Sequence, residues 1–167
     1  MKKLLLLCIG CFFATGALAQ PQTQRFQLSL IPDIAILSRT THIKGFTLGI
    51  WSENPQTAVA LGVVNGSTGA SSGLSFALLA NYTESYEGAQ LAWITNYAAV
   101  RMSGFQLAAF NYAARLHGLQ LGFINFAESS DKGVQVGFIN IMNGTKDWFV
   151  GFPDEIAPVM PFVNWRF

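Results

Sequence analysis

An eight-residue phrase recurs along this chain at nearly constant spacing. It is clearest as Gly118-Leu119-Gln120-Leu121-Gly122-Phe123-Ile124-Asn125 and again as Gly133-Val134-Gln135-Val136-Gly137-Phe138-Ile139-Asn140. Weaker copies begin at Gly104, Gly88, Gly73, Ala58 and Gly45, so successive starts lie 13, 15, 15, 16, 14 and 15 residues apart. A repeat this regular means one supersecondary unit copied in tandem, and the fold has to be built from that unit.

The unit reads as a β-strand. Successive side chains of a strand point to opposite faces. The second, fourth and sixth positions of every copy are apolar, from Phe46, Leu48 and Ile50 to Val134, Val136 and Phe138. The alternate face opens with Thr47, Ala60, Ser75, Gln90, Gln106, Gln120 and Gln135, then carries only Gly or Ala, then an apolar residue such as Ile94, Phe110, Ile124 or Ile139. Internal glycine, a period of two and abundant β-branched and aromatic residues all argue against helix. Extended by two residues, each phrase reaches about ten, the length of a tilted strand that crosses a bilayer. The five or so residues left over, such as 128–132, fit a hairpin loop. Glu53, Glu84, Glu87, Arg101, Arg115, Glu128, Asp131 and Lys132 all fall between phrases. A lipid-facing strand requires that division, since a charge at mid-bilayer costs roughly 2–4 kcal/mol.

The leader and the composition point the same way. Lys2 and Lys3, the apolar stretch 4–13 and Ala17-Leu18-Ala19 make residues 1–19 a secretory signal peptide, which leaves 20–167 as one β-repeat domain. A lipoprotein reading with Cys11 at the cleavage point would leave a very short apolar region. Both cysteines, Cys8 and Cys11, lie in the leader, so the mature chain has no disulfide and no thiol-based metal site. Without Lys2 and Lys3, eight basic residues face nine acidic ones, a formal charge of −1. No basic field attracts nucleic acid. Charged residues make up 11% of the chain, against about a quarter in ordinary soluble domains. Low charge, high apolar content and a secretion signal, with no apolar run of spanning length in the mature chain, predict a barrel in an outer membrane.

Asn65, Asn81, Asn96, Asn111, Asn125 and Asn140 sit at or just past the end of each phrase. Asparagine commonly starts turns; the alternatives are a ladder of stacked amides or a ring at the membrane–water boundary. The series Gln90, Gln106, Gln120 and Gln135 fits neighbouring amides bonding one another in a narrow lumen better than a ligand site. At the C-terminus, Val163, Trp165 and Phe167 share one face and Asn164 and Arg166 the other, as in a closing strand with lipid outside. That ending resembles the recognition signal of bacterial outer-membrane barrels, and the resemblance implies the barrel-assembly machinery as a partner. The phrase Gly-x-Gln-x-Gly-x-x-Asn, with the Pro-x-x-Asn-Trp-x-Phe ending, resembles a family of bacterial surface repeat proteins, mostly uncharacterised and secreted. The likeness runs from Gly45 to Phe167. Thr47 and Ala60 depart from it in place of Gln, and Ala58 in place of the leading Gly. The family implies no catalytic residues.

Seven repeats, the closing strand and residues 25–31 give nine strands. Residues 34–38 or 148–152 supply a tenth. The expected fold is all-β: an antiparallel up-and-down β-barrel of 8–10 strands, with outer-membrane lipid as its neighbour. The alternative is a parallel β-solenoid of about 15-residue repeats, which tandem repetition, corner glycines and Asn ladders all fit. Two features count against it: residues 97–103 lack a second strand pattern, and the step length varies. A soluble barrel carrying a hydrophobic ligand in the periplasm is a third option. It would leave Ile94, Phe110, Ile124 and Ile139 in water.

Catalytic patterns are missing. His42 and His117 lie in linkers, and no His, Asp or Glu cluster has metal-ligand spacing. The Gly/Ser-rich residues 66–73 precede a strand rather than a helix and read as a flexible loop, not a phosphate cradle. Glu84 and Glu87 read as a solvated loop, and Asp154 and Glu155 as a turn. The expected function is therefore non-enzymatic and cofactor-free: a structural or narrow-pore protein of the outer membrane. The competing functions are a secreted solenoid that mediates protein or surface interactions and a periplasmic carrier of hydrophobic ligands.

Overall fold

A computed structural model describes residues 23–167; the proposed signal peptide, its cleavage site and both cysteines lie outside them. Eight strands form one sheet in the order β2-β1-β3-β4-β5-β6-β7-β8. They are β1 (Thr23–Ile31), β2 (Ile34–Ala35), β3 (His42–Glu53), β4 (Gln56–Ala92), β5 (Thr95–Leu107), β6 (Phe110–Leu121), β7 (Ile124–Met142) and β8 (Val159–Arg166).

The fold is a parallel β-solenoid, which corrects the expectation of an antiparallel barrel. β1·β3, β3·β4, β4·β5, β5·β6 and β6·β7 all pair in parallel, and only the end strands β2 and β8 are antiparallel to their neighbours. No pairing joins β2 to β8, so the sheet does not close. A parallel neighbour requires the chain to return to its starting edge within each repeat. The residues assigned to hairpin loops make that return. Thr95–Ala98 pair with Phe110–Ala113, and Met102–Leu107 with Leu116–Leu121. The second strand pattern that residues 97–103 seemed to lack is therefore present but short. The variable step length is absorbed at register shifts, between Thr83 and Ser85, Ala98 and Met102, and Leu116 and His117.

The repeated phrase is itself bent. The strand runs of adjacent rungs break at residues 93–94, 108–109 and 122–123. In these three rungs the phrase is a short strand, a corner and the start of a second strand, not one straight ten-residue span. The corner resets the alternation. Phe123 and Ile124, like Trp93 and Ile94 before them, both face outward in succession, which accounts for the apolar seventh position that a straight strand could not place. Residues 66–73 are strand rather than loop, lying within β4, with Ser67 and Ser71 buried. Ser67 Oγ donates to Thr83 Oγ1 at 3.0 Å, and the Gln56 amide donates to Ser71 Oγ at 3.1 Å.

Both ends are covered, as a stack of open sheet edges requires. At the first rung, Gln27 Nε2 donates to Leu37 O and to Asn54 Oδ1, which folds residues 34–41 over the edge. Of the two segments offered as a tenth strand, 34–35 form the short β2, and 148–152 are turns. At the last rung, β8 pairs with β7, and residues 153–156 lie along its outer edge through Ile156 N to Trp165 O and Phe167 N to Asp154 O.

Candidate docking flank and amide core

The interior is built from amides. Gln90, Gln106, Gln120 and Gln135 are all but fully buried and occupy matching register positions on successive rungs. Gln106 Nε2 donates to Gln90 Oε1 at 3.0 Å, Gln120 to Gln106 at 2.8 Å and Gln135 to Gln120 at 2.8 Å. A second ladder runs beside it. Asn65 donates to Asn81, Asn81 to Asn96 at 2.8 Å, Asn96 to Asn111 at 3.0 Å, Asn111 to Asn125 at 2.9 Å and Asn125 to Asn140 at 2.8 Å. Several of these Asn side chains also donate to a backbone carbonyl at the corner of the next rung, as Asn111 does to Leu121 O at 2.7 Å. The asparagines thus tie the corners of successive rungs together. Beside the ladders lies one small apolar cluster of Tyr86, Ala98, Met102, Ala113, Leu116, Ala127 and Met142.

Most of the larger apolar side chains face outward. In one flank, Phe26, Phe46, Val59, Leu74, Ala89, Phe105, Leu119, Val134 and Trp165 form one column, and Leu28, Leu48, Leu61, Phe76, Leu91, Leu107, Leu121, Val136 and Val163 the next. Every member of both columns is half-buried or exposed. The corner forms a ridge, on which Trp93 is 71% and Phe138 63% exposed. Phe123 stacks on Phe138, with ring centroids 5.4 Å apart. Between ridge and flank runs an apolar groove of about 690 Å³, walled by residues such as Leu91, Leu107, Trp93 and Phe123 and floored by Ala92, Ala108, Gly122 and Gly137. The invariably small fifth position is therefore the bottom of a furrow.

Beyond the ridge, the second flank carries Trp51, Phe110 and Ile139, then a stack of Tyr97, Tyr112 and Phe126 with centroids 4.7 and 5.6 Å apart. Its far edge is polar. Tyr82 donates its hydroxyl hydrogen to Glu53 and accepts a hydrogen bond from Trp51 Nε1 at 2.9 Å. Burial, and then the bond to Glu53, push the Tyr82 phenol up to about 12. Arg39 bridges Asp33 and Glu53 at the first rungs, and Arg166 pairs with Glu155 at the last. Exposed Lys44, Glu87 and Lys132 mark the opposite edge of the first flank, one residue before the leading glycine.

The C-terminal residues Val163 and Trp165 continue the outer columns, while Asn164 points inward opposite Gln135. Asn164 Nδ2 donates to Ala157 O at 2.9 Å. Val163 and Trp165 thus belong to the strand that caps the solenoid, with Phe167 just past its end and bonded through its amide to Asp154 O, and none of the three forms a barrel seam. The ridge and the Tyr97–Tyr112 stack escaped the sequence reading. Their signal was legible: two adjacent apolar residues, positions six and seven, break a period of two.

These features define an all-β parallel solenoid with an amide core and an apolar exterior. No family model, no curated protein and no solved structure matches the chain. Among the described residues, no group of three or more His, Cys, Asp or Glu side chains is placed to hold a metal ion.

Proposed function

We propose that the protein is a secreted, non-enzymatic β-solenoid that acts as an interaction module in the periplasm or at the cell surface, docking through its apolar flank and ridge. One observation carries this reading: polar amides fill the interior while Leu, Val, Phe and Trp columns face out. Exposed apolar patches beyond a few hundred Å² mark interaction surfaces. A stack about 40 Å long, at the usual ~4.8 Å strand spacing, presents such a patch on each flank. The ladder amides are spent on one another and on backbone carbonyls, which favours a structural role for them over substrate binding.

Cell fractionation tests the proposal. The unaltered chain should sediment with the envelope. A Phe123→Asp, Phe138→Asp variant should move to the soluble fraction with its unfolding temperature preserved, because both side chains already lie outside the core. An unaltered chain recovered as a free monomer without detergent would refute the docking role.

A further inference from the structure

We infer that the occupant of the apolar flank is the surface of a lipid bilayer, into which the ridge inserts without spanning it. This rests on the docking role proposed above and names its partner. Three features of the molecule lead there.

The first is shape. The apolar surface covers two flanks and the convex corner between them, from Leu107 and Leu121 over Trp93 and Phe123 to Phe110 and Ile139. A second copy laid flat on the first flank would bury on the order of 1,000 Å² in total, the lower limit for a specific interface, and leave ridge and second flank in water. A fluid hydrocarbon layer wraps all three. The furrow floored by Ala92, Ala108, Gly122 and Gly137 runs along the axis for several rungs and is lined almost wholly by apolar side chains.

The second is backbone satisfaction. Hydrocarbon excludes any strand with open hydrogen-bonding groups. Here adjacent rungs bond one another in parallel, and the corners are bonded too, as Phe123 N to Ala109 O at 2.9 Å and Ile139 N to Phe123 O at 3.0 Å. The walls of the solenoid therefore meet the condition that barrels meet by closure.

The third is charge. Arg25, Lys44 and Lys132 lie exposed at the polar margin of the first flank, which also carries the anions Glu87 and Asp131 and the Phe167 carboxylate, and none of the three cations enters an ion pair among the described residues. That margin stands at headgroup level when the ridge is down. Cations beside an anionic surface each strengthen attachment about fivefold.

Flotation with the purified mature chain, residues 20–167, decides the matter. Vesicles of phosphatidylglycerol and phosphatidylcholine should carry the protein upward, and pure phosphatidylcholine should carry less. Trp93→Asp and Phe123→Asp should each reduce partitioning at least tenfold, and Lys44→Glu with Lys132→Glu at least tenfold on anionic vesicles alone. Thermal unfolding of each variant guards against misfolding. A chain that ignores both vesicle types but forms a dimer lost on Phe123→Asp overturns the lipid partner while keeping the docking role. A monomer that ignores both vesicle types and also fails to sediment with the envelope overturns both.

Discussion

Gln120 and Asn125 share one rung yet pass their hydrogen bonds in opposite directions along the axis. Gln120 donates back to Gln106 at 2.8 Å, whereas Asn125 donates forward to Asn140 at 2.8 Å. Chains of amides polarise one another, so two parallel ladders would add their dipoles along the stack. Opposed ladders cancel them. The Gln ladder ends at Gln135, whose Oε1 has no partner among the described residues, opposite Asn164 of the capping strand.

Replacing one member of this ladder should cost more per residue than replacing several together. Gln120→Leu keeps the volume but strips the donor from Gln106 Oε1 and the acceptor from Gln135 Nε2, and an orphaned buried amide costs about 1–3 kcal/mol. Converting Gln106, Gln120 and Gln135 together to Leu leaves only Gln90 Oε1 and backbone carbonyls such as Ile141 O without their donors. Denaturant unfolding should show the triple variant losing well under three times the single loss. Strict additivity would mean that the amides do not act as a ladder.

Gly118 should be intolerant of any side chain. Its φ of +139° is a conformation that L-residues rarely adopt, and an added Cβ would stand 2.0 Å from the Gly104 carbonyl oxygen of the preceding rung. Gly118→Ala should lose several kcal/mol or fail to fold, combining backbone strain of about 1–3 kcal/mol with a clash that backbone must absorb. Gly69 makes the control. It also has positive φ, at +61°, but a Cβ there meets nothing within 4 Å. Gly69→Ala should cost only about 1–2 kcal/mol. Equal unfolding temperatures for the two variants would contradict the rung spacing.

Stability should fall at alkaline pH through Tyr82. Its folded-state value, raised to about 12 by burial and by the bond to Glu53, exceeds the ordinary value of about 10. The folded state then holds its proton where the unfolded state has lost it, so stability is fully present below pH 10 and declines as pH rises toward 12. Buried Tyr86, pushed further up by burial alone, adds in the same direction. Unfolding followed by circular dichroism across this range should show the decline. Tyr82→Phe, which cannot ionise, should flatten part of it.

The alternation Leu119-Gln120-Leu121 was readable at once, and so was its division into an apolar and an amide face. Whether those faces belong to a barrel or to a solenoid was not readable from the pattern, because a barrel with lipid outside and a solenoid with amides inside demand the same alternation. Straightness was misjudged. Gly122-Phe123-Ile124 looks like continued strand until the corner is seen, since small and aromatic residues both serve in strands. The returning segment Thr95–Ala98 was hidden by its length, for four residues with one buried Asn and one buried Ala carry almost no periodic signal.

By itself the chain determined that it would be all β, built from a unit of about 15 residues, with Gln and Asn segregated from Leu, Val and Phe and with its charges kept between phrases. Those properties follow from local chemistry: strand periodicity and the need of amides for partners. Only the tertiary structure decided that neighbouring units run parallel, that the phrase bends at Gly122, and that the Gln series becomes a ladder rather than a lumen lining. The reason is that pairing direction depends on where the chain goes between strands. That path is set by close backbone approaches such as Gly118 against Gly104 and by the Asn111 bond to Leu121 O, contacts between residues a full rung apart that no local pattern encodes.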